Sequence, residues 1–145
     1  KIEPYATGKL SKNLYAKKQD VDAKLVVVLD GKMEDRGLEL IKPISRCVLK
    51  DEVHELILTD EPAARPGSRV NKIAYLGFCV IERSGVIVQG DEVCLDGKII
   101  GHLAGFDETH MPNHLNIVIK TDILHTGIEL AADIGMPVRF ALPAK

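Results

Sequence analysis

Residues 92–106 read EVCLDGKIIGHLAGF, and this stretch decides the fold. Two apolar runs, Glu92–Leu95 and Lys98–Phe106, directly flank the dipeptide Asp96-Gly97. Asp-Gly accepts the positive φ angles that a two-residue hairpin turn requires. The stretch therefore predicts two antiparallel strands joined by a tight turn.

The rest of the chain repeats this pattern of short apolar runs punctuated by Gly, Asp and Pro. Val, Ile and Leu dominate the runs, which is typical of β-strands. Only residues 121–134 leave room for a helix, and Gly127 limits that helix to a turn or two. The other predicted strands are Ala23–Leu29, Leu38–Ile44, Val53–Thr59, Asn71–Ile81, Val86–Val88, His114–Lys120 and Pro137–Ala141.

Length and composition predict how the chain is organised. A chain of 145 residues that is 46% hydrophobic fits one domain, which buries roughly two-thirds of its unfolded surface. The sequence predicts an all-β fold, a small antiparallel, closed or partly closed β-barrel with at most one short helix, because closure removes exposed strand edges. Residues 1–20, rich in Lys, are predicted as a partly ordered N-terminal arm, and residues 21–145 as a single β-barrel domain.

The net charge limits which partners are predicted, and the cysteines indicate the cellular compartment. A net charge of −2 gives no broad positive field, so neither nucleic acid nor a membrane is a predicted partner. Cys47, Cys79 and Cys94 form no CxxC pair and stand in apolar segments, which indicates reduced core cysteines. No apolar run approaches the roughly 18–20 residues of a membrane span. A cytoplasmic location is therefore predicted.

The strongest candidate site is residues 101–114, which read GHLAGFDETHMPNH and hold three of the five histidines. If Leu103 pairs with Leu115, His102 faces Asn116 and lies diagonal to His114, about 7–8 Å away along the backbone. The connection of residues 105–113 would then hang over the same end of the sheet. Strand pairing alone thus predicts a cluster of histidines and carboxylates.

Such a cluster suits a divalent metal, zinc above all, because neutral imidazole and anionic carboxylate are both good zinc ligands. The predicted cofactor is therefore a divalent metal. The alternative is a polar loop whose histidines cap turns or pair with carboxylates. The predicted metal ligands are His102, Asp107, His110 and His114.

Further side chains are predicted to bind a small-molecule ligand beside the metal. Arg65 and Arg69 flank a Gly/Ser turn, an arrangement that can grip phosphate or carboxylate. His54 alternates with Leu56 and Leu58, which favours a partly buried, hydrogen-bonded ring over a ligand. The predicted ligand-binding residues are Glu108, Asn113, Asn116, Arg65 and Arg69.

Residues 90–120 resemble the second half of the glucitol/sorbitol-specific IIA component of the bacterial sugar phosphotransferase system. The resemblance lies in GDEVCLDGKII at residues 90–100 and NHLNIVI at residues 113–119. It implies a small closed or partly closed barrel. The phosphoryl-accepting histidine of that family belongs to its first half, and the corresponding residues 73–80 contain no histidine. Phosphocarrier activity is therefore not implied.

Three functions remain open from the sequence. The first is a β-barrel that binds a small molecule or a divalent metal through the His102–His114 segment. The second is a metal-dependent hydrolase or lyase with the same ligands, in which Asp107 or Glu108 acts as ligand or general base. The third is a structural or regulatory module that works through a protein partner or a homo-oligomer. GxGxxG, GxxxxGK[ST], GxSxG and HExxH are all missing, which disfavours the enzyme classes they mark.

Overall fold

A computed structural model describes residues 14–144, and within this range the chain forms strands and turns without a helix. The predicted all-β class is therefore confirmed. The strands are β1 (Val21–Val28), β2 (Lys32–Met33), β3 (Leu38–Glu39), β4 (Ser45–Val48), β5 (Val53–Thr59), β6 (Arg69–Val70), β7 (Ile73–Arg83), β8 (Gly85–Val88), β9 (Glu92–Leu95), β10 (Lys98–Asp107), β11 (Asn116–Lys120) and β12 (Pro137–Ala141).

Seven strands form a ring in the order β1-β12-β9-β10-β11-β5-β7, and β7 returns to pair with β1. This ring confirms the predicted closed or partly closed architecture. Every pair in it is antiparallel except β11–β5, which is parallel. The ring leaves no free lateral edge on these strands, which answers the edge problem of an all-β chain.

The predicted hairpin at Asp96-Gly97 is present. Leu95 pairs with Lys98, and Asp96 and Gly97 have φ angles of 50° and 83°. Positive φ at both central residues matches the right-handed twist of the two strands.

The predicted register of β10 against β11 is wrong by four residues at Leu103 and by five residues beyond the bulge. Leu103 pairs with Ile119 rather than with Leu115, and Asp107 pairs with Asn116. The reason is that β10 runs on to Asp107 and bulges between Leu103 and Gly105. Every cross-strand neighbour therefore differs from the predicted one, and beyond the bulge the odd shift also changes which residues of β10 share a face with those of β11.

The ring has an inner and an outer apolar face. Leu56, Ile117 and Phe140 belong to the inner cluster, whereas Ile57 and Val118 belong to an outer one. The outer cluster also contains Leu38 of β3 and Val70 of β6, which pair with each other over this face. The "outer face" below means the face of β10, β11, β5 and β7 that carries Ile57 and Val118.

The three cysteines differ in burial. Cys79 is buried as predicted, Cys94 is half-buried and Cys47 is exposed, because the Cys47 position on β4 faces away from the core.

Residues 1–13 of the predicted arm lie outside the described residues. Lys18, within the described part of that arm, forms an ion pair of 2.9 Å with buried Asp91. Between residues 14 and 144 no helix is long and apolar enough to cross a membrane.

Candidate metal centre

Four strands contribute one residue each to a single row across the outer face. Asp107 on β10 pairs with Asn116 on β11, Asn116 pairs with Glu55 on β5, and Glu55 pairs with Phe78 on β7. Directly opposite residues on neighbouring strands project to the same face. Glu55 is therefore held between an amide and an aromatic ring, and only 7% of its surface is exposed.

The connection between β10 and β11, residues 108–115, brings two histidines over this row. The N–H groups of Asn113 and His114 donate to the His110 carbonyl at 2.9 and 3.4 Å. This winding resembles one helical turn, in which residues four apart lie on one side. The rings of His110 and His114 consequently have centroids 5.0 Å apart and planes inclined by 31°.

Glu55, His110 and His114 together form a group of three possible metal ligands. One nitrogen or oxygen atom from each lies within 4.8 Å of the others, and His114 Nε2 lies 3.2 Å from Glu55 Oε1. Among residues 14–144 no other three His, Cys, Asp or Glu side chains meet so closely. Because Glu55 is buried and His110 is exposed, the group opens to solvent on the His110 side.

The hydrogen bonds of His114 are compatible with metal binding. Asn113 Nδ2 lies 2.9 Å from Nδ1 of His114. If the amide donates to Nδ1, the ring proton is on Nε2, which then donates to Glu55. A metal on Nε2 would leave the proton on Nδ1, and the amide of Asn113 would then have to present its oxygen to it. Amide groups allow this exchange because their two ends occupy nearly the same space.

His54 supports the group from beneath. Its Nδ1 accepts a hydrogen bond of 3.0 Å from the N–H of Leu115, and its Nε2 lies 3.3 Å from Glu52 Oε1. Burial lowers the pKa of His54, although Glu52 opposes this effect. The predicted buried, hydrogen-bonded role of His54 is thus confirmed. Phe78 adds an edge-on contact to the His114 ring at 5.0 Å.

Arg36, in the connection between β2 and β3, lies beside His110. Its Nη2 is 3.4 Å from His110 Nε2, and its Nε donates to the Tyr75 hydroxyl at 3.2 Å. The Tyr75 hydroxyl in turn donates to the sulfur of Met33 at 3.3 Å. The open side of the group therefore carries a guanidinium.

Asp107 organises the loop and does not belong to the group. Its carboxylate accepts from the N–H groups of Glu39 and Thr109, both at 2.9 Å, and from Asn116 Nδ2 at 3.0 Å. Burial raises the pKa of Asp107, but the hydrogen bonds led by Thr109 outweigh burial and leave it below the ordinary value. Asn116 Oδ1, by contrast, is buried without a hydrogen-bond partner among the described residues.

His102, a predicted ligand, stands at the other end of the outer face. It pairs with Lys120 on β11 and with Glu92 on β9, and it lines a cleft of about 290 Å³. Four residues separate Lys120 from Asn116, roughly 13 Å along the strand. His102 does not join His110 and His114, because its assignment rested on the wrong register.

The other predicted ligand-binding residues take separate positions. Glu108 is exposed and faces Arg46 at 3.6 Å. Arg69 pairs with Glu39 at 2.9 Å. Arg65 is exposed in the turn closed by Ser68. Asn113 contacts the group through His114, and Asn116 lies directly opposite Glu55 on the neighbouring strand.

Two residues of this centre, Glu55 and Arg36, were not predicted from the sequence. Glu55 had a weak signal, since it is the lone carboxylate in the apolar run Val53–Thr59. Arg36 had none, because its approach depends on the path of the chain over the outer face.

Comparison with known proteins gives one match. The profile of DUF6917, described as a family of unknown function, matches residues 15–141. Neither the curated proteins nor the solved structures gave a match. The resemblance to the glucitol/sorbitol component stays a prediction.

Proposed function

The chain belongs to the family DUF6917, and we propose from the geometry of the site that it binds a divalent first-row metal, zinc above all. Glu55, His110 and His114 are the proposed ligands. The observation that carries the proposal is the approach of their three ligand atoms to within 4.8 Å of one another.

The spacing suits an ion after a small contraction. Tetrahedral zinc ligands at about 2.0–2.2 Å from the metal lie roughly 3.4 Å from each other. Because the ligand atoms lie within 4.8 Å of one another, the group has to close by up to about 1.4 Å. His110 can supply this movement, because its side chain is exposed.

The donor set favours a site that keeps one position open. Two histidines and one glutamate are the protein ligands of a class of catalytic zinc centres, where water takes the fourth position. Structural zinc sites instead use four protein ligands. The open position would face the solvent side, where His110 and Arg36 lie.

The neighbouring side chains add support. Asn113 can orient His114 by accepting from its Nδ1–H, as partners outside the ligand set commonly do. Asn116 pairs with Glu55 across the strands, and its buried Oδ1 lacks a partner among the described residues. A buried acceptor of this kind costs about 1–3 kcal/mol unless something donates to it. This acceptor beside Glu55 therefore favours a polar occupant at the site.

A second candidate is a metal-dependent hydrolase or lyase that uses the same three ligands. The open fourth position favours it, because a zinc-bound water can be activated there. Asp107 is poorly suited to be its general base, because the carboxylate is buried, already accepts three hydrogen bonds and has a lowered pKa. The third candidate, a module that acts through a protein partner, becomes the conclusion if no metal binds.

Metal titration tests the proposal. Untagged protein is stripped with a chelator and titrated with Zn²⁺ against a chromophoric competitor, and circular dichroism confirms folding. We expect one equivalent bound per chain, lost in a His110→Ala/His114→Ala double variant and retained in His102→Ala. Folded wild-type protein that binds none of Zn²⁺, Mn²⁺ or Fe²⁺ would overturn the proposal and leave Glu55–His114 as a structural pair.

A further inference from the structure

Among the described residues Arg36 is a guanidinium that has no counter-ion. Between residues 14 and 144 it forms no ion pair with a carboxylate, and its side chain contacts the neutral Tyr75 hydroxyl and the His110 ring. Its backbone is anchored, since the N–H groups of Arg36 and Gly37 donate to the Asn71 carbonyl and side-chain oxygens at 2.9 and 3.1 Å. A positive charge is thus held in place beside the proposed metal.

The contact between Arg36 and His110 cannot coexist with a metal on His110. Arginine only donates hydrogen bonds, so it uses the lone pair on His110 Nε2. A metal on Nε2 takes that same lone pair. A metal on Nδ1 leaves the proton on Nε2, which then repels the guanidinium N–H. Whichever nitrogen bound the metal, metal loading would release the Nη2 end of Arg36 from His110.

We infer that the released guanidinium binds an anionic oxygen group of a second ligand that occupies the open metal position. This inference rests on the proposed metal site and names its ligand class, a small carboxylate or phosphoryl compound. Arg36 stays tethered through Nε to Tyr75, which leaves both Nη groups free for a two-pronged contact with a pair of oxygens.

Charge favours the same occupant. A divalent ion with one carboxylate ligand and two neutral imidazoles carries one net positive charge, and Arg36 adds another. Two positive charges around one open position select for an anion. Binding of the metal should therefore create the anion site, and the anion should in return tighten the metal.

Cobalt spectroscopy tests the inference. Co²⁺-loaded protein is titrated with benzoate and, separately, with phenylphosphonate, and the visible absorption of the metal reports what enters its coordination sphere. The variants are Arg36→Gln, Arg36→Lys and, as a matched control for lost charge, Arg83→Gln. Arg83 lies at the far end of β7 and faces Asp22.

The expected pattern separates a ligand-binding role from a structural one. Arg36→Gln should bind Co²⁺ as tightly as wild type or up to about threefold tighter, because a competitor for His110 is gone. Its affinity for the preferred anion should fall roughly tenfold, with Arg36→Lys between and Arg83→Gln unchanged. The stronger of the two probes identifies the carboxylate or the phosphoryl class.

Two failures are distinguishable. If Arg36→Gln binds Co²⁺ and both anions like wild type, or loses Co²⁺ affinity, this inference is overturned while the proposed metal site stands. If wild-type protein binds no metal, the proposed function falls and the inference falls with it.

Discussion

The two ends of the outer face carry similar residues but differ in how these converge. At one end Glu55 projects from the middle of the sheet, and two histidines fold over it from a single turn. At the other end His102 shares its cleft with Asp60 and Asp122, which lie on connecting segments. A buried carboxylate on a strand gives histidines a fixed partner, whereas carboxylates on loops do not. The apolar cluster around Ile57 and Val118 keeps the two ends apart.

The largest expected effect separates Asp107 from the metal group. Asp107→Ala removes an acceptor from two backbone N–H groups and from Asn116 Nδ2, so the free energy of unfolding should fall by about 3 kcal/mol. Urea denaturation of chelator-treated protein measures it. The matched change at the other end, Asp122→Ala, should stay within about 0.5 kcal/mol. Unchanged stability with lost metal binding would make Asp107 a ligand instead.

A substitution of Glu55 should do the opposite of Asp107→Ala, with a large effect on metal affinity and a small effect on stability. Glu55→Gln keeps an oxygen for His114 but removes the anionic ligand, so metal-free stability should change by less than about 1 kcal/mol. Zinc affinity should fall by roughly 100-fold or more, since even partners outside the ligand set contribute 10–100-fold. A competitive titration measures it, with Glu92→Gln, opposite His102 on β9, as the control. If Glu92→Gln proved the weaker binder, the metal would belong to the other end.

Acid should weaken the end that holds the metal group. Burial lowers the pKa of His54 from its ordinary 6.5, so below this pH the unfolded chain binds a proton that the folded chain does not. The contribution of His54 to the free energy of unfolding is therefore fully present above pH 6.5. It is lost as pH falls toward the folded pKa, at no more than about 1.4 kcal/mol per pH unit.

Unfolding measured between pH 7 and pH 5 with chelator present isolates this effect. His54→Asn retains an acceptor for the Leu115 N–H and should flatten the pH profile in that window. His102→Asn, at the other end, should leave the profile as in wild type. A profile that His54→Asn does not change would assign the acid sensitivity to another group.

The alternation of apolar residues predicts which side chains of a strand share a face, but it does not predict which residues lie opposite them on the neighbouring strand. Alternation along β11 alone indicates that Ile117 and Ile119 share a face, and both lie in the inner cluster. The register error misplaced His102, since cross-strand contacts depend on the register itself. His110 and His114 were found together because their approach is local to one turn.

The roles of Glu55 and Arg36 could not be predicted because they depend on contacts between distant parts of the chain. Glu55 meets His114 only because β5 lies parallel to β11, and Glu55 is 59 residues away from His114 along the chain. Nothing in the alternation of either strand specifies that partner. Arg36 arrives through an excursion that covers the outer face, and its position follows from contacts with Asn71 and Tyr75. Such placements are properties of the folded ring rather than of a local pattern.

The smallest expected effect decides whether the fourth metal position is open. Glu108 follows Asp107 directly, but it is half-exposed and faces Arg46 at 3.6 Å rather than the histidines. Glu108→Ala should change stability by less than about 0.5 kcal/mol, as for most exposed ion pairs. Zinc affinity should stay within about twofold of wild type, because the side chain is not a ligand. A tenfold loss would mean that Glu108 swings in to complete the coordination, and a centre closed by four protein ligands would then be structural rather than open to a second ligand.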